Sequence, residues 1–146
     1  MDIQYRTVAS ISEFIDAIRI RVDVFILEQK CPPGWEPDEL DKTSQQFIAL
    51  ANSIIVATAR MRENPKGAAK IERMVVKKDF RGKGIATQLT KYIVEQAQIQ
   101  GYKKIWMQAQ EHEKKVYEKA GFKVVSKSYD LWNLGIPHID MEHICE

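Results

Sequence analysis

The stretch Lys77–Leu89, KKDFRGKGIATQL, places two glycines and four cationic side chains in its first eight residues, directly before a segment with helical periodicity. Glycine is a poor helix former, and like charges repel one another along a helix. The first turn of a helix, however, presents unpaired N–H groups and a partial positive charge, and glycine allows the backbone to approach a ligand closely. The stretch is therefore predicted to bind a phosphate-bearing ligand.

Two familiar phosphate-binding motifs do not fit this stretch. A P-loop ends in Gly-Lys-Ser/Thr, which the segment Gly82–Gly84 does not supply. A dinucleotide fingerprint needs a third glycine where this chain has Thr87, and the chain offers no second half for a Rossmann sheet. A third pattern, R/Q-x-x-G-x-G/A directly after a strand, is matched by Arg81, Gly84 and Ala86.

Length and composition limit the alternatives. The 146 residues are enough for one sizeable core, and we expect a single domain over residues 1–146. The net charge of +2 is too small for general binding to nucleic acid or a membrane, so neither is expected as a partner. Cys31 and Cys145 make no metal-ligand spacing and no disulfide framework, and no metal site is expected. Two free thiols and the absence of an apolar leader in the first ten residues favour a cytoplasmic location.

The N-terminal part of the chain combines strands, one helix and a long loop. Ile3–Val8 is predicted to be a strand, and Ser10 with Glu13 is spaced as the capping box of a helix that ends near Gln29. The proline-rich loop, Cys31–Lys42, contains three prolines, one glycine and four acidic residues. It is predicted to be irregular, either as a solvated surface loop or as a lid over a substrate.

The remainder predicts a strand–helix–strand unit inside a mixed sheet. A hairpin turns at Asn52-Ser53, a further strand runs to Val76, and the helix after the glycines ends at Gly101. The crossover between the two flanking strands requires them to be parallel. A short helix near Lys114–Lys119 and two last strands, FKVVSKSY and PHIDMEHI, complete a fold of about seven strands and four helices.

The motifs together resemble the GNAT superfamily of N-acetyltransferases. The strand IERMVV, the loop DFRGKGIATQL and the later VYEKAGF stand in the family's order and spacing, and the resemblance covers roughly Arg21 to Ile144. It implies an α/β (α+β) fold with a mixed, mostly antiparallel central sheet and a splayed pair of parallel strands. It also implies that acetyl-CoA, the acetyl donor, is bound between those two strands.

The resemblance assigns the cofactor contacts to two segments. The main chain of Met74 and Val76, with Val75 between them, would pair with the pantetheine arm. The backbone amides of the glycine stretch would wrap the pyrophosphate, and they belong to Arg81, Gly82, Lys83, Gly84, Ile85, Ala86 and Thr87. Lys77 or Lys83 would approach the ribose phosphate, although a solvated surface charge is the simpler interpretation of each lysine.

Acetyl transfer to an amine needs a base for the ammonium proton and an acid for the leaving thiolate. The resemblance places the hydroxyl of Tyr117, in VYEKAGF, at the thioester sulfur as the acid. His138, in GIPHIDM, is one candidate base, because histidine titrates near neutral pH. Glu72 is its rival, because many GNAT enzymes carry a catalytic glutamate at that place, and water is a third alternative. His112 and His143 are weaker candidates.

The orientation of Glu72 depends on the regularity of its strand. Alternation places Glu72 on one face with Met74 and Val76, and places Arg73 on the other face with Ile71 and Val75. Only one of these sets can face the acceptor, unless the strand contains a bulge, which GNAT strands often have here.

The first helix carries RVDVFILEQ, Arg21 to Gln29, which resembles an R-x-x-V-F-x-x-E-Q motif of a bacterial GNAT subgroup that also carries G-I-P-H. In that subgroup the helix and the following loop form one wall of the acceptor site. Arg21 and Arg73 are therefore candidates for binding an anionic acceptor, with structural ion pairing as the alternative. Gln110 stands in the region where related anion-binding members carry an arginine, and the acidic loop could instead attract a polyamine or aminosugar. The charge of the acceptor stays open.

The function predicted from the sequence is acetyl-CoA-dependent N-acetylation of a small-molecule amine, by direct transfer with a general base and a general acid. A lid over the site favours a small acceptor over an exposed peptide. The alternative is an acyl-CoA-binding regulatory module without turnover. A homodimer is a further expectation, by analogy of fold alone.

Overall fold

The computed structural model describes residues 2–145, so the two ends of the predicted domain, residues 1 and 146, lie outside it. The described chain contains three α-helices, which are α1 (Ile11–Arg21), α2 (Ile85–Ile99) and α3 (Lys114–Glu118). It contains eight strands, which are β1 (Ile3–Thr7), β2 (Gln45–Ala51), β3 (Ile54–Glu63), β4 (Ala68–Val76), β5 (Lys104–Gln110), β6 (Lys123–Val124), β7 (Tyr129–Asp130) and β8 (Pro137–Ile144). The predicted strand FKVVSKSY is two short pieces, β6 and β7, which accounts for the extra strand.

Short helical segments of other kinds complete the architecture. The first helix continues without a break from α1 into a π-helix over Val22–Glu28 and is capped by Gln29, the predicted end. Tight 3₁₀ turns occur at Glu39–Lys42, Lys78–Phe80 and Glu111–Glu113. No helix within residues 2–145 is long and apolar enough to cross a membrane.

The start of α1 differs from the predicted capping box in one bond. The side chain of Ser10 accepts from the backbone N–H of Glu13, as predicted. The Glu13 carboxylate, however, accepts from the backbone N–H of Ala9 at 2.8 Å, one residue before the cap, and pairs with Arg6. The cap is therefore shared between the helix and strand β1.

All strands belong to one mixed sheet in the order β1-β2-β3-β4-β5-β8-β6, with β7 paired to β8. Every neighbouring pair is antiparallel except β4 and β5, which are parallel and are joined through α2. The predicted fold class is confirmed by this sheet, which is mostly antiparallel around one parallel pair.

The parallel pair is splayed. Its register covers Ala68–Ile71 of β4 and Lys104–Met107 of β5. Beyond this point β4 stays bonded to β3, and β5 stays bonded to β8 as far as Gln110. The facing edges of the two strands therefore separate toward their carboxyl ends and leave a V-shaped gap in the sheet.

The sheet carries an apolar core on each face. Helix α2 packs on one face, where its Leu89 and Ile93 meet Phe47, Ile105 and Met141. The first helix packs on the other face, where Ile20 of α1 and Val24 of the π-helix meet Ile48 and Val75. The V-shaped gap thus opens between a layer built by α2 and α3 and a layer built by the first helix.

Strand β4 contains the bulge that decides the orientation of Glu72. Arg73 and Met74 together oppose Ala59 of β3, and Arg73 has a φ of 59°. After this extra residue Met74 packs on the α2 face, as Ile71 does before it. The alternation expected for a regular strand is therefore wrong here, because Glu72 lies on the face opposite to Met74.

Candidate active site

A cavity of about 450 Å³ occupies the V-shaped gap. Its walls come from the first helix, the proline-rich loop, both splayed strands, α3 and a segment before β8, Leu131–Ile136, which we call the apolar loop. The predicted cofactor segments lie together at this cavity. The lining includes Met74, Val75, Val76, Arg81, Gly82, Gly84, Ile85, Ala86 and Thr87. Lys83 is exposed and does not line it.

The glycine loop, Arg81–Gly84, leaves a run of amides without acceptors. Gly82 and Gly84 have φ values of 76° and 78°, a left-handed conformation that glycine adopts without strain. Gly84 is the N-cap of α2, and no side chain caps this helix. Among residues 2–145, no group accepts from the backbone N–H groups of Gly82–Thr87, whereas the Arg81 amide donates to Lys78. Six consecutive N–H groups at a helix N-terminus form a site for an anion.

The side chain of Arg81 fixes this loop rather than facing a ligand. Its Nε donates to the carbonyl oxygen of Val76 at 3.0 Å. Its two terminal nitrogens donate to the Glu28 carboxylate at 2.8 and 3.0 Å. The loop is therefore tied both to the end of β4 and to the π-helical end of the first helix.

The edge of β4 offers main-chain groups to the same cavity. The Lys77 N–H donates to Val56 of β3. Because successive residues of a strand direct their N–H and C=O groups to opposite edges, the groups of Met74 and Val76 are directed into the gap. They lie beyond the part of β4 that pairs with β5.

Tyr117 reaches the cavity from α3, on the α2 side of the sheet. Its side chain is 7% exposed and packs in the core under α2. Burial, reinforced by the charge of Glu113, raises the pKa of Tyr117 well above its ordinary value. The phenol therefore keeps its proton across the physiological range, as a proton donor must.

His138 lines the cavity from β8, on the opposite side of the sheet. Its neighbour Ile139 packs in the α2 core, so alternation directs the imidazole toward the proline-rich loop. Its Nδ1 lies 2.8 Å from the carbonyl oxygen of Ile136, which can only accept. In the neutral ring the proton is therefore on Nδ1, and Nε2 carries the lone pair. Burial lowers the pKa of His138, which favours this neutral form.

Glu72 is at the cavity wall but is poorly suited to be a base. Its carboxylate accepts from Arg62 at 2.7 Å and also pairs with Arg60 and Lys70. Burial alone would raise the pKa of Glu72, but the hydrogen bond from Arg62 and the charges of Lys70 and Arg60 outweigh it and lower the pKa to about 2. A carboxylate with so low a pKa has little affinity for the proton of an amine.

The two arginines proposed for an anionic acceptor differ in position. Arg21 is 1% exposed, pairs with Glu36 and Asp41, and does not line the cavity. Its position corresponds to the alternative interpretation, structural ion pairing, here with two carboxylates of the proline-rich loop. Arg73 does line the cavity, and its guanidinium lies 2.7 Å from Glu36 and 3.2 Å from Asp38.

Several lining residues were not assigned a role of their own from the sequence. Gln29 and Gln110 exchange two amide hydrogen bonds, at 3.1 and 2.9 Å, which join the first helix to the end of β5. The apolar loop contributes half-buried or exposed side chains, including Trp132 at 44% exposure. Its sequence, LWNLGI, is unusually apolar for a loop, and this was the signal that could have revealed it.

Comparison with known proteins identifies the family. A model of the acetyltransferase (GNAT) domain matches residues 18–145. The uncharacterized N-acetyltransferase YjcF of Bacillus subtilis is 31% identical over 126 residues, which are 86% of this chain and 89% of YjcF. Protein ElaA of Escherichia coli is 29% identical over 136 residues, which are 90% of this chain and 88% of ElaA. The chain belongs to the GNAT acetyltransferase family, whose activity is acyl transfer.

Solved structures show the same fold. The crystal structure of E. coli ElaA aligns with a TM-score of 0.84 at 25% identity, over 97% of this chain and 99% of ElaA. A B. subtilis acetyltransferase in complex with CoA aligns with a TM-score of 0.73 at 16% identity, over 99% of this chain and 100% of that one. These structures show the fold, and the match to the family model confirms the predicted membership of the superfamily.

Proposed function

We propose that the protein transfers an acetyl group from acetyl-CoA to the amine of a small molecule. The observation that carries the proposal is the run of amides Gly82–Thr87, for which residues 2–145 provide no acceptor, beside the splayed edges of β4 and β5. Tyr117 and His138 approach the same cavity from opposite faces of the sheet. A cofactor site, an acid and a base are thus grouped around one gap.

The residues present fit acetyl-CoA. The glycine-loop amides suit its pyrophosphate, because convergent N–H groups at a helix N-terminus bind phosphate oxygens. The main-chain groups of Met74 and Val76 suit the amides of the pantetheine arm, which can extend along the open strand edge. When bound, acetyl-CoA supplies an activated thioester as the source of the acetyl group.

The side chains divide the proton transfers between them. The Nε2 of His138 accepts a proton from the acceptor ammonium and leaves the amine as a nucleophile. The hydroxyl of Tyr117 donates a proton at the departing sulfur.

Replacing Tyr117 by Phe tests the acid. The change removes one hydroxyl group for which no side-chain partner occurs among residues 2–145, so the fold should keep its stability. We expect kcat to fall on the order of a hundredfold while the Kd for acetyl-CoA is unchanged. Thiol release with an accepted amine measures kcat, and calorimetry measures the Kd.

Tyr92→Phe is the matched control, because Tyr92 is half-buried against the same core but does not line the cavity. It should leave both quantities unchanged. Full activity of Tyr117→Phe would remove Tyr117 from the mechanism. Acetyl-CoA binding without release of thiol with any amine would favour a regulatory acyl-CoA-binding module instead.

A further inference from the structure

Three of the four carboxylates of the proline-rich loop, Glu36, Asp38 and Asp41, are directed inward and are already neutralised, whereas Glu39 lies at the surface beside Lys42. Glu36 pairs with Arg21 and Arg73, and Asp38 pairs with Arg60 and Arg73. Glu36 and Asp38 thus each contact two guanidinium groups, and Asp41 does the same with Arg21 and Arg60. The acidic composition of this loop does not produce an acidic surface facing the cavity.

The whole cluster carries no surplus of negative charge. Within residues 2–145 it joins four carboxylates, Glu36, Asp38, Asp41 and Glu72, to five cations, Arg21, Arg60, Arg62, Lys70 and Arg73. Its formal sum is +1. A second ammonium group on an acceptor would find no unpaired carboxylate here and would be repelled by the net charge.

Among residues 2–145, the two remaining carboxylates that line the cavity, Glu28 and Glu113, are outside this cluster. Glu28 binds Arg81 at the glycine loop, and Glu113 lies 3.4 Å from His112 beside α3. Asp130 lies just outside the cavity lining and accepts from the N–H groups of Leu134 and Gly135, which fixes the apolar loop. Polyamines, which need several anionic contacts, therefore do not match this site.

The wall beside His138 is aromatic. The rings of Trp35 and Trp132 meet edge to face at 4.9 Å between centroids. The ring of Trp132 meets His138 in the same manner at 5.7 Å. These three rings form a row from the proline-rich loop to the candidate base, and Leu131, Leu134 and Ile136 extend the apolar surface.

One face of Trp132 is already occupied by a cation. The guanidinium of Arg73 lies 5.6 Å from the ring centroid, and the same group is held by Glu36 and Asp38. Arg73 therefore stabilises the indole and is not available as a free anion receptor. Trp132 as a whole is 44% exposed and lines the cavity, so the rest of its ring provides apolar surface for a ligand.

We propose that the acceptor is a monoamine carried on an aromatic or flat apolar body. The body packs against Trp132 and the apolar loop, and the amine lies at Nε2 of His138. This inference rests on the proposed function, because it names the substrate class of the same site.

The test compares three amines at equal concentration. 2-Phenylethylamine is the aromatic monoamine, phenylalanine adds a carboxylate to the same body, and spermidine is the polyamine. We expect kcat/KM for 2-phenylethylamine to exceed the other two by at least about tenfold. Preference for spermidine or for phenylalanine would overturn the proposal.

Variants of Trp132 test the wall itself. Trp132→Ala should lower kcat/KM for 2-phenylethylamine by about tenfold or more, and Trp132→Phe should retain most of it. Leu27→Ala is the matched control, because Leu27 is 61% exposed, lies in the first helix and is outside the cavity lining. Equal losses in Trp132→Ala and Leu27→Ala would contradict a direct contact.

Calorimetry with 2-phenylethylamine separates this inference from the proposed function. It is performed on the protein alone and with CoA, so no turnover is required. If 2-phenylethylamine binds to the wild type and not to Trp132→Ala, the substrate class is supported. If that binding is seen but no acetyl transfer occurs, only the proposed function fails. If other amines are acetylated but 2-phenylethylamine does not bind, only the substrate class is overturned. If 2-phenylethylamine does not bind and no amine is acetylated, both proposals are overturned.

Discussion

The two side chains proposed to handle protons, His138 and Tyr117, have pKa values shifted in opposite directions, because burial disfavours the charged form of each and these forms have opposite charges. Desolvation disfavours the imidazolium of His138 and the phenolate of Tyr117. One group is thereby kept as a neutral acceptor and the other as a neutral donor. Pairs of titratable groups whose pKa values are driven apart are characteristic of acid–base catalysis.

The pKa of His138 predicts the acid limb of the pH–rate profile. Below that pKa the imidazole is protonated and cannot accept the amine proton, so kcat/KM should fall as the pH is lowered. The midpoint should lie below 6.5, the ordinary histidine value, because burial lowers the pKa. His138→Gln should abolish this limb and most of the activity, whereas Glu72→Gln should leave the limb in place.

His143→Gln is the control, because His143 packs on Phe122 outside the cavity lining. Persistence of the acid limb in His138→Gln would assign the base to another group.

The lowered pKa of His138 also affects the stability of the fold. The unfolded chain binds the His138 proton more readily, so the free energy of unfolding should decrease as the pH falls below 6.5.

At the scale of the element, the N-terminus of α2 depends on two left-handed glycines. Gly84→Ala places a Cβ in a conformation that costs about 1 kcal/mol, and any relaxation of φ would turn the loop amides away from one another. We expect affinity for acetyl-CoA to fall by about tenfold or more, because the pyrophosphate contacts depend on this convergence. Calorimetry with acetyl-CoA measures the change.

Gly101→Ala controls for the strain, because Gly101 lies at the other end of α2 with a φ of 95° and open space around its Cα. Both variants should lose similar stability in urea, and only Gly84→Ala should lose affinity. A parallel loss of affinity in both would show that the effect is transmitted through helix stability.

Elements defined by local chemistry could be predicted from the sequence. The glycines, the periodicity of α2 and the turn at Asn52-Ser53 act over a few residues, and each prediction agrees with the structure. The π-helical hydrogen bonding of Val22–Glu28 was not predicted, although the end of the helix was. The bulge at Arg73 was anticipated only through the resemblance to the family, because a bulge depends on the partner strand.

The candidate site could be predicted only in part, because some of its features are local in sequence and others depend on contacts between distant segments. The unpaired backbone amides at the start of α2 follow from local sequence, so the segments proposed to bind the cofactor could be predicted to lie together at the cavity. The pairing of Glu36 with Arg21 and Arg73 joins residues far apart in sequence, and it reverses what the composition of the loop suggested. Charge composition does not give the direction in which a carboxylate points.

On the scale of the whole molecule, the buried ion-pair cluster joins the first helix, the proline-rich loop and two central strands. Removing one partner from such a cluster leaves opposite charges buried without compensation. Arg21→Leu should therefore lower the free energy of unfolding by about 3 kcal/mol. This value is at the low end for a buried pair, because Glu36 would still pair with Arg73 and Asp41 would still pair with Arg60. Urea denaturation measures this change.

Arg19→Leu is the matched control on the same helix, since Arg19 pairs with Asp16 at the surface and is 74% exposed. It should cost less than about 1 kcal/mol, because solvent screens such pairs. Arg21→Leu should leave the Kd for acetyl-CoA unchanged, because Arg21 does not line the cavity. Equal stabilities of the two variants would show that the cluster contributes little to the fold, and an altered Kd would show that the loop it anchors also shapes the cofactor site.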